Sequence, residues 1–166
     1  MNGDRISRNI NAIWDNPLYQ EKYKELQEIE KTREYCGHDI SHFLDVARLM
    51  WIYSREDGTG LEKDIIYAAA LLHDIGRGDE AVTGKSHHEA GAELAEIILE
   101  ETEFTQENKE EIIEAIRSHR NPEVKDEKSL KGYLYKADKK SRRCFCCSAA
   151  DTCSWPVEKR NLIIDF

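Results

Sequence analysis

The chain has 166 residues, 40% of them hydrophobic and 34% charged, with a net charge of −9. That length suits one domain with its own core, and the apolar share excludes a disordered polyelectrolyte. The acidic balance removes any global attraction for nucleic acid or an anionic membrane, so an anionic substrate would need local positive charge, for which a metal ion is the simplest source.

The longest apolar run, IIYAAALL at Ile65–Leu72, falls far short of the roughly 18 residues of a membrane span. The opening MNGDRISRNINAIW has no apolar leader core. A cytoplasmic protein with no membrane partner is expected. Its five cysteines should then be reduced, and are read as metal or redox groups before disulfides.

The pattern along the chain is helical almost throughout. NPLYQEKYKELQEIEKTREY opens with an Asn cap and Pro17 at the first helical position, and Leu18, Tyr19, Tyr23, Leu26 and Ile29 follow near the helical period. A second helix is predicted over about Asp39–Arg55, with Phe43, Val46, Ala47, Met50 and Trp51 on one face, broken by EDGTG. A third runs over about Leu61–Asp74. GRGDEAVTGK reads as a Gly-rich loop. A fourth helix covers about His87–Glu101, a fifth follows a Thr105 cap to about Ser118, and a sixth spans about Glu127–Ser141. No period-2 run or hairpin signal occurs. The expectation is an all-α domain of six to seven helices over residues 1–143, with a cysteine-rich C-terminal tail over 144–166 packed on the same domain.

All six histidines fall between positions 38 and 119. His42 lies one turn before Val46 on the core-facing stripe. His73 and Asp74 close the third helix, His87 and His88 open the fourth, His119 closes the fifth, and Asp138 sits in the sixth after Leu134 and Ala137. Imidazole suits zinc, iron and manganese, and carboxylate can bridge or neutralise a divalent ion. Helices around one core can aim such groups at one point. Any one inward histidine is more often a satisfied core residue; the set argues for a metal.

SHFLDVARL, then LLHDIG, then KADKKS resembles the HD superfamily of metal-dependent phosphohydrolases over about residues 33–143. The family pattern of His, His-Asp and a distant Asp falls on His42, His73, Asp74 and Asp138. The resemblance implies a single HD-type all-helical domain and a divalent metal held by those four residues. HHEAGAELA and AIRSHR resemble the segments that supply further histidines in two-metal members. A His four residues before Gly91 selects His87 over His88, and the second segment selects His119, with Asp74 as the bridging carboxylate. His88 is then expected to face solvent. One or two ions are implied; iron, manganese, zinc, cobalt, nickel and magnesium all stay open.

In that chemistry a metal lowers the pKa of bound water to roughly 7, and the hydroxide attacks phosphorus. Asp74 and Arg77 are the catalytic candidates. Arg77, Arg120, Lys139 and His38 are candidates for holding substrate, each with an ordinary surface or helix-start residue as the alternative. The resemblance points to a phosphoester of a small phosphorylated metabolite or nucleotide. The acidic pair of alarmone hydrolases is poorly matched by Asp79 and Glu80, and no Gly-Tyr-Pro follows as in the cyclic-dinucleotide phosphodiesterases. A non-catalytic metal-binding regulatory protein and a di-iron oxygenase of the HD type are the alternatives. Nucleic acid is not an expected partner, and a homodimer stays open.

Cys144, Cys147 and Cys153 form C-x2-C-x5-C, a spacing at which thiolates reach one ion, and Cys36 in EYCGHD is the nearest candidate for a fourth. A structural zinc or an iron–sulfur cluster, packed free thiols, and a redox disulfide are the three readings; Cys146 is spare in each.

Overall fold

The computed structural model describes residues 7–164; the first six residues of the stretch read as lacking a leader, and the last two of the tail, lie outside them. The described residues form eight α-helices and four single-turn 3-10 segments, with no strand. The helices are α1 (Arg8–Asp15), α2 (Pro17–Glu30), α3 (Ile40–Asp57), α4 (Lys63–Leu72), α5 (Arg77–Thr83), α6 (His87–Leu99), α7 (Gln106–Ser118) and α8 (Leu130–Lys140). The all-α reading holds.

Helix boundaries follow local chemistry. The Asn16 side chain accepts from the amides of Leu18 and Tyr19 and starts α2 before Pro17. Asp39 caps α3 through the His42 amide, and Gly58, at φ 67°, ends it. Thr105 and Ser129 cap α7 and α8 in the same way.

Two helices fall where no helix was expected. α1 starts on a Ser7 cap, buries Ile13, and packs on α2 and α4. α5 occupies the stretch read as a Gly-rich loop. Its glycines mark its ends rather than its disorder: Gly76 precedes the first turn and Gly84, at φ 77°, terminates the last. Tertiary contacts hold it, including Lys22 Nζ at 2.8 Å from Asp79 Oδ1.

α4 is buried nearly all round, from Ile65 to Leu72, and forms the axis of the bundle. α3 packs against α4 and α8, while α7 packs against α4, α6 and α8. Four helices, α3, α6, α7 and α8, therefore bring an end or an inner face to the C-terminal end of α4.

Candidate metal centre

His73 and His119 occupy the same local position, the residue that closes a helix. The last carbonyls of a helix lack intrahelical partners. Each ring folds back to one of them: His73 Nδ1 donates to the Ala70 carbonyl at 2.7 Å, and His119 Nδ1 to the Ile116 carbonyl at 2.6 Å. A carbonyl only accepts, so the proton sits on Nδ1 and the Nε2 lone pair points away from the helix end. His87 reaches the same state by donating Nδ1 to Glu80 Oε2 at 2.8 Å. His42 Nδ1 lies 3.2 Å from the Ser141 hydroxyl. Such partners orient an imidazole for an ion.

The four Nε2 atoms converge on Asp74, which is fully buried. Its two oxygens face opposite groups. Oδ2 lies 3.2 Å from His73 Nε2 and 3.7 Å from His42 Nε2. Oδ1 lies 3.5 Å from His87 Nε2 and 3.7 Å from His119 Nε2. Asp138 joins the first group, with Oδ1 at 3.6 Å from His42 Nε2 and 3.9 Å from His73 Nε2. Two sets result, each with its ligand atoms within 4.8 Å of one another: His42, His73, Asp74 and Asp138, and Asp74, His87 and His119.

These residues fit a divalent ion. His42 Nε2, His73 Nε2 and both Asp74 oxygens are buried with no hydrogen-bond partner. Bare carboxylate oxygens in a dry interior cost several kcal/mol unless a charge meets them. Arg77 Nε stands 2.9 Å from Asp74 Oδ1, but the pair is not aligned as a hydrogen bond, so it supplies charge without satisfying the oxygen. Burial opposes ionisation of Asp74, yet His73, His42 and Arg77 hold its carboxyl well below the usual range. Burial and Asp74 push Asp138 up, but His73 and Lys139 outweigh them and bring it to about 2. Burial and the neighbouring His73 push His119 down to about 3, which leaves a neutral imidazole with a free lone pair at ordinary pH. Anionic carboxylates beside the neutral imidazoles of His87 and His119 suit a hard or borderline cation.

The other sequence candidates separate. His38 is buried, its Nδ1 3.0 Å from Glu30 Oε1 and its Nε2 3.6 Å from Asp74 Oδ2, so it stands at the edge of the centre. Lys139 Nζ lies 3.3 Å from Asp138 Oδ2, donates to the His119 carbonyl at 3.4 Å and sits over the Tyr135 ring. The ammonium is thus engaged with Asp138, the His119 carbonyl and the Tyr135 ring. Arg120 is exposed and belongs to neither set. The expectation that His88 faces solvent is corrected. It is half-buried, its Nδ1 is enclosed without a partner, and its ring meets those of His87 and His119 edge-on. It is nonetheless absent from both sets.

All five thiols are free. Cys36, Cys144, Cys146, Cys147 and Cys153 line one cavity of about 780 Å³, which His38 and His42 also line. No three of these sulfurs lie within 4.8 Å of one another.

Glu80, Glu30 and Ser141, which hold the second nitrogens of His87, His38 and His42, were not singled out in the sequence for these roles. The Glu80 signal was present but hidden. Once GRGDEAVT is helical, an acid in its first turn comes to lie beside the start of α6.

The comparisons agree with this geometry. The HD domain family model matches residues 39–155. The crystal structure of a predicted HD superfamily hydrolase from an uncultured Thermotogales bacterium aligns with a TM-score of 0.55 at 35% identity, covering 73% of this chain and 66% of that one. An uncharacterized protein of Clostridium beijerinckii is 36% identical over 95% of this chain and 98% of its own length. Ribonuclease Y of Sulfurovum sp. is 37% identical over 78 residues, 47% of this chain and 15% of that protein. Ribonuclease Y of Treponema denticola is 31% identical over 63% of this chain and 18% of its own. This chain therefore spans under a fifth of either of these ribonucleases. Fold and centre define an all-helical protein with a buried His/Asp site for divalent metal. The chain belongs to the HD domain family, and the centre and the hydrolase neighbour support metal-dependent phosphohydrolase chemistry in general.

Proposed function

We propose that this protein hydrolyses a phosphoester of a small phosphorylated metabolite or nucleotide. The observation that carries the reading is the carboxylate of Asp74, buried and unsatisfied at both oxygens, with a histidine pair facing each. His42, His73, Asp74 and Asp138 would hold a first ion, and Asp74, His87 and His119 a second. A divalent ion there would lower the pKa of a bound water to roughly 7 and draw charge from a phosphoryl oxygen.

The chain's own residues do the positioning. Ala70 and Ile116 carbonyls, Glu80 and Ser141 hold four imidazoles in one tautomer and direction. Lys139 pairs with Asp138 Oδ2 and leaves Oδ1 turned to His42 and His73. Arg77 is four-fifths buried beside Asp74 and brings a permanent cation to the centre, where negative charge grows on the phosphoryl oxygens during attack. His38, fixed by Glu30, offers Nε2 at the cavity end and would contact substrate or a water.

A small substrate is favoured over a long RNA because the chain carries a net charge of −9 and no global attraction for a polyanion. The test is a panel of nucleoside mono-, di- and triphosphates, sugar phosphates and a short oligoribonucleotide, assayed for phosphate or product release with manganese, iron, zinc, cobalt, nickel and magnesium in turn. Metal-dependent turnover of a small phosphoester is expected. Turnover of the oligoribonucleotide alone would replace the substrate class. Metal binding with no turnover would favour a regulatory protein, and oxygen consumption by the iron form would favour an oxygenase.

A paired substitution tests the second set. His87→Ala is expected to cost one metal equivalent, whereas His88→Ala keeps both, read by elemental analysis of the purified variants. The reverse pattern would assign His88 as the ligand.

A further inference from the structure

The C-terminal tail is ordered without a core of its own. From Cys144 to Ile164 only Ala149 is buried, while Phe145, Val157, Leu162, Ile163 and Ile164 are exposed. The segment has three single-turn 3-10 pieces and no longer element. Segments this poor in apolar burial usually depend on a disulfide or a metal. Hydrogen bonds supply part of the order. Arg160 donates to the carbonyls of Ala150, Cys153 and Trp155, and Asn161 Nδ2 donates to those of Lys139, Lys140 and Arg142. The tail also reaches the α2–α3 connection, where the Tyr35 hydroxyl donates to the Thr152 carbonyl at 3.0 Å.

Those contacts bring all five thiols to one place. Cys36 of the α2–α3 connection and Cys144, Cys146, Cys147 and Cys153 of the tail line the same cavity, and the C-x2-C-x5-C spacing picks out Cys144, Cys147 and Cys153 from the tail's four. Burial pushes the Cys36 thiol up, the Arg142 guanidinium pulls it down, and the neighbouring thiols of Cys144 and Cys147 push it up again. Cys146 is exposed on the adjoining turn, with its thiol turned to the Arg143 carbonyl.

We propose that Cys36, Cys144, Cys147 and Cys153 form a tetrathiolate site for a thiophilic metal centre, a zinc ion or an iron–sulfur cluster, that clasps the tail to the α2–α3 connection. The site is separate from the His/Asp centre and does not rest on the phosphohydrolase reading. Four thiolates about 2.3 Å from a zinc ion lie about 3.8 Å from one another, closer than any three of these sulfurs now stand. Closure falls to side-chain rotation on short turns, and each thiol gives up its proton to solvent as it binds. The clasp has a consequence for the neighbouring centre. Cys36 stands two residues before His38, whose amide and ring both engage Glu30 and whose Nε2 faces Asp74. Tying Cys36 to the tail would therefore fix the segment that carries His38 beside the His/Asp centre.

The test uses the full chain carrying Asp74→Ala, purified anaerobically, so that the His/Asp centre is stripped and only the thiol site can retain metal. Zinc, iron and acid-labile sulfide are measured together with an absorption spectrum and a native thiol titration. Either one zinc per chain or iron with matching sulfide is expected, lost in Cys36→Ser and Cys147→Ser and kept in Cys146→Ser. Zinc and cluster are told apart by the sulfide and the visible absorption. A metal-free chain with all thiols reactive would overturn the proposal, as would a disulfide between any of the four. Equal loss in Cys146→Ser and Cys147→Ser would also overturn it. If a cysteine variant fails to fold by circular dichroism, cobalt added to the Asp74→Ala chain decides: sulfur-to-cobalt charge-transfer absorption supports the site, and its absence refutes it.

Discussion

Asp74→Ala is expected to empty both sets of the His/Asp centre at once and to lower phosphoesterase activity on the order of 10³-fold or more, since losing even one electrostatic stabiliser of a transition state costs about 10²–10³. The reason is geometric. Asp74 is the single residue common to the two sets, and its two oxygens face them separately. His42→Ala or His87→Ala should instead weaken one set and leave the other partly loaded. Asp74→Ala loses no aligned hydrogen bond to either carboxylate oxygen, but it leaves the largely buried Arg77 guanidinium without the anion it faces. The ion-free variant should therefore stay folded and melt below the ion-free parent. Elemental analysis, activity and a melting curve on the same sample check all three expectations. A variant that keeps two metal equivalents, or that is active, would show that Asp74 does not bridge.

Gly76→Ala is expected to be strongly destabilising. A Cβ at Gly76 would meet the Gly91 amide nitrogen and the His87 carbonyl oxygen, each at 2.4 Å, and the Gly91 Cα at 2.9 Å. All three are backbone atoms of α6, so no rotamer change relieves the contact and the helix itself must move. Overpacking of this kind costs on the order of 3 kcal/mol, which for a chain of this length lowers the melting temperature by roughly 6–12 °C. The displacement falls on the helix that carries His87. The variant should therefore also lose affinity at the second set while the first, built on α3, α4 and α8, is retained. Thermal melts and metal titration measure the two effects, and a variant as stable and as well loaded as the parent would mean that α6 does not depend on this close approach. Gly78→Ala is the control in the same helix, where a Cβ would meet only the flexible Glu25 side chain, at 3.3 Å to its carboxylate oxygen.

The pair Gly76 and Gly91 shows where reading the sequence stopped. Gly76 follows the His-Asp pair by two residues and was taken as the start of a loop. In the structure it is the point where the chain passes against α6 at backbone contact, which is why α5 can turn back and present Glu80 to His87. Nothing local distinguishes a glycine of that kind from a loop glycine, because its requirement is set by a segment fifteen residues away.

Much else was legible locally, for identifiable physical reasons. Helical periodicity and caps at Asn16 and Thr105 depend on neighbours within one turn, so the larger helices could be placed from the sequence. His73 and Asp74 stood out because an apolar helix ending in two polar residues is a local anomaly. Which imidazole nitrogen points inward, which oxygen of Asp74 faces which pair, and that Lys139 serves Asp138 all depend on helices far apart in sequence meeting at the end of α4. The residue types at the centre were determined by the sequence alone, since only donors of that chemistry suit a divalent ion. Their division into two sets sharing one carboxylate was decided by the packing of α3, α4, α6, α7 and α8, because ligand geometry is a property of distances that no single helix contains.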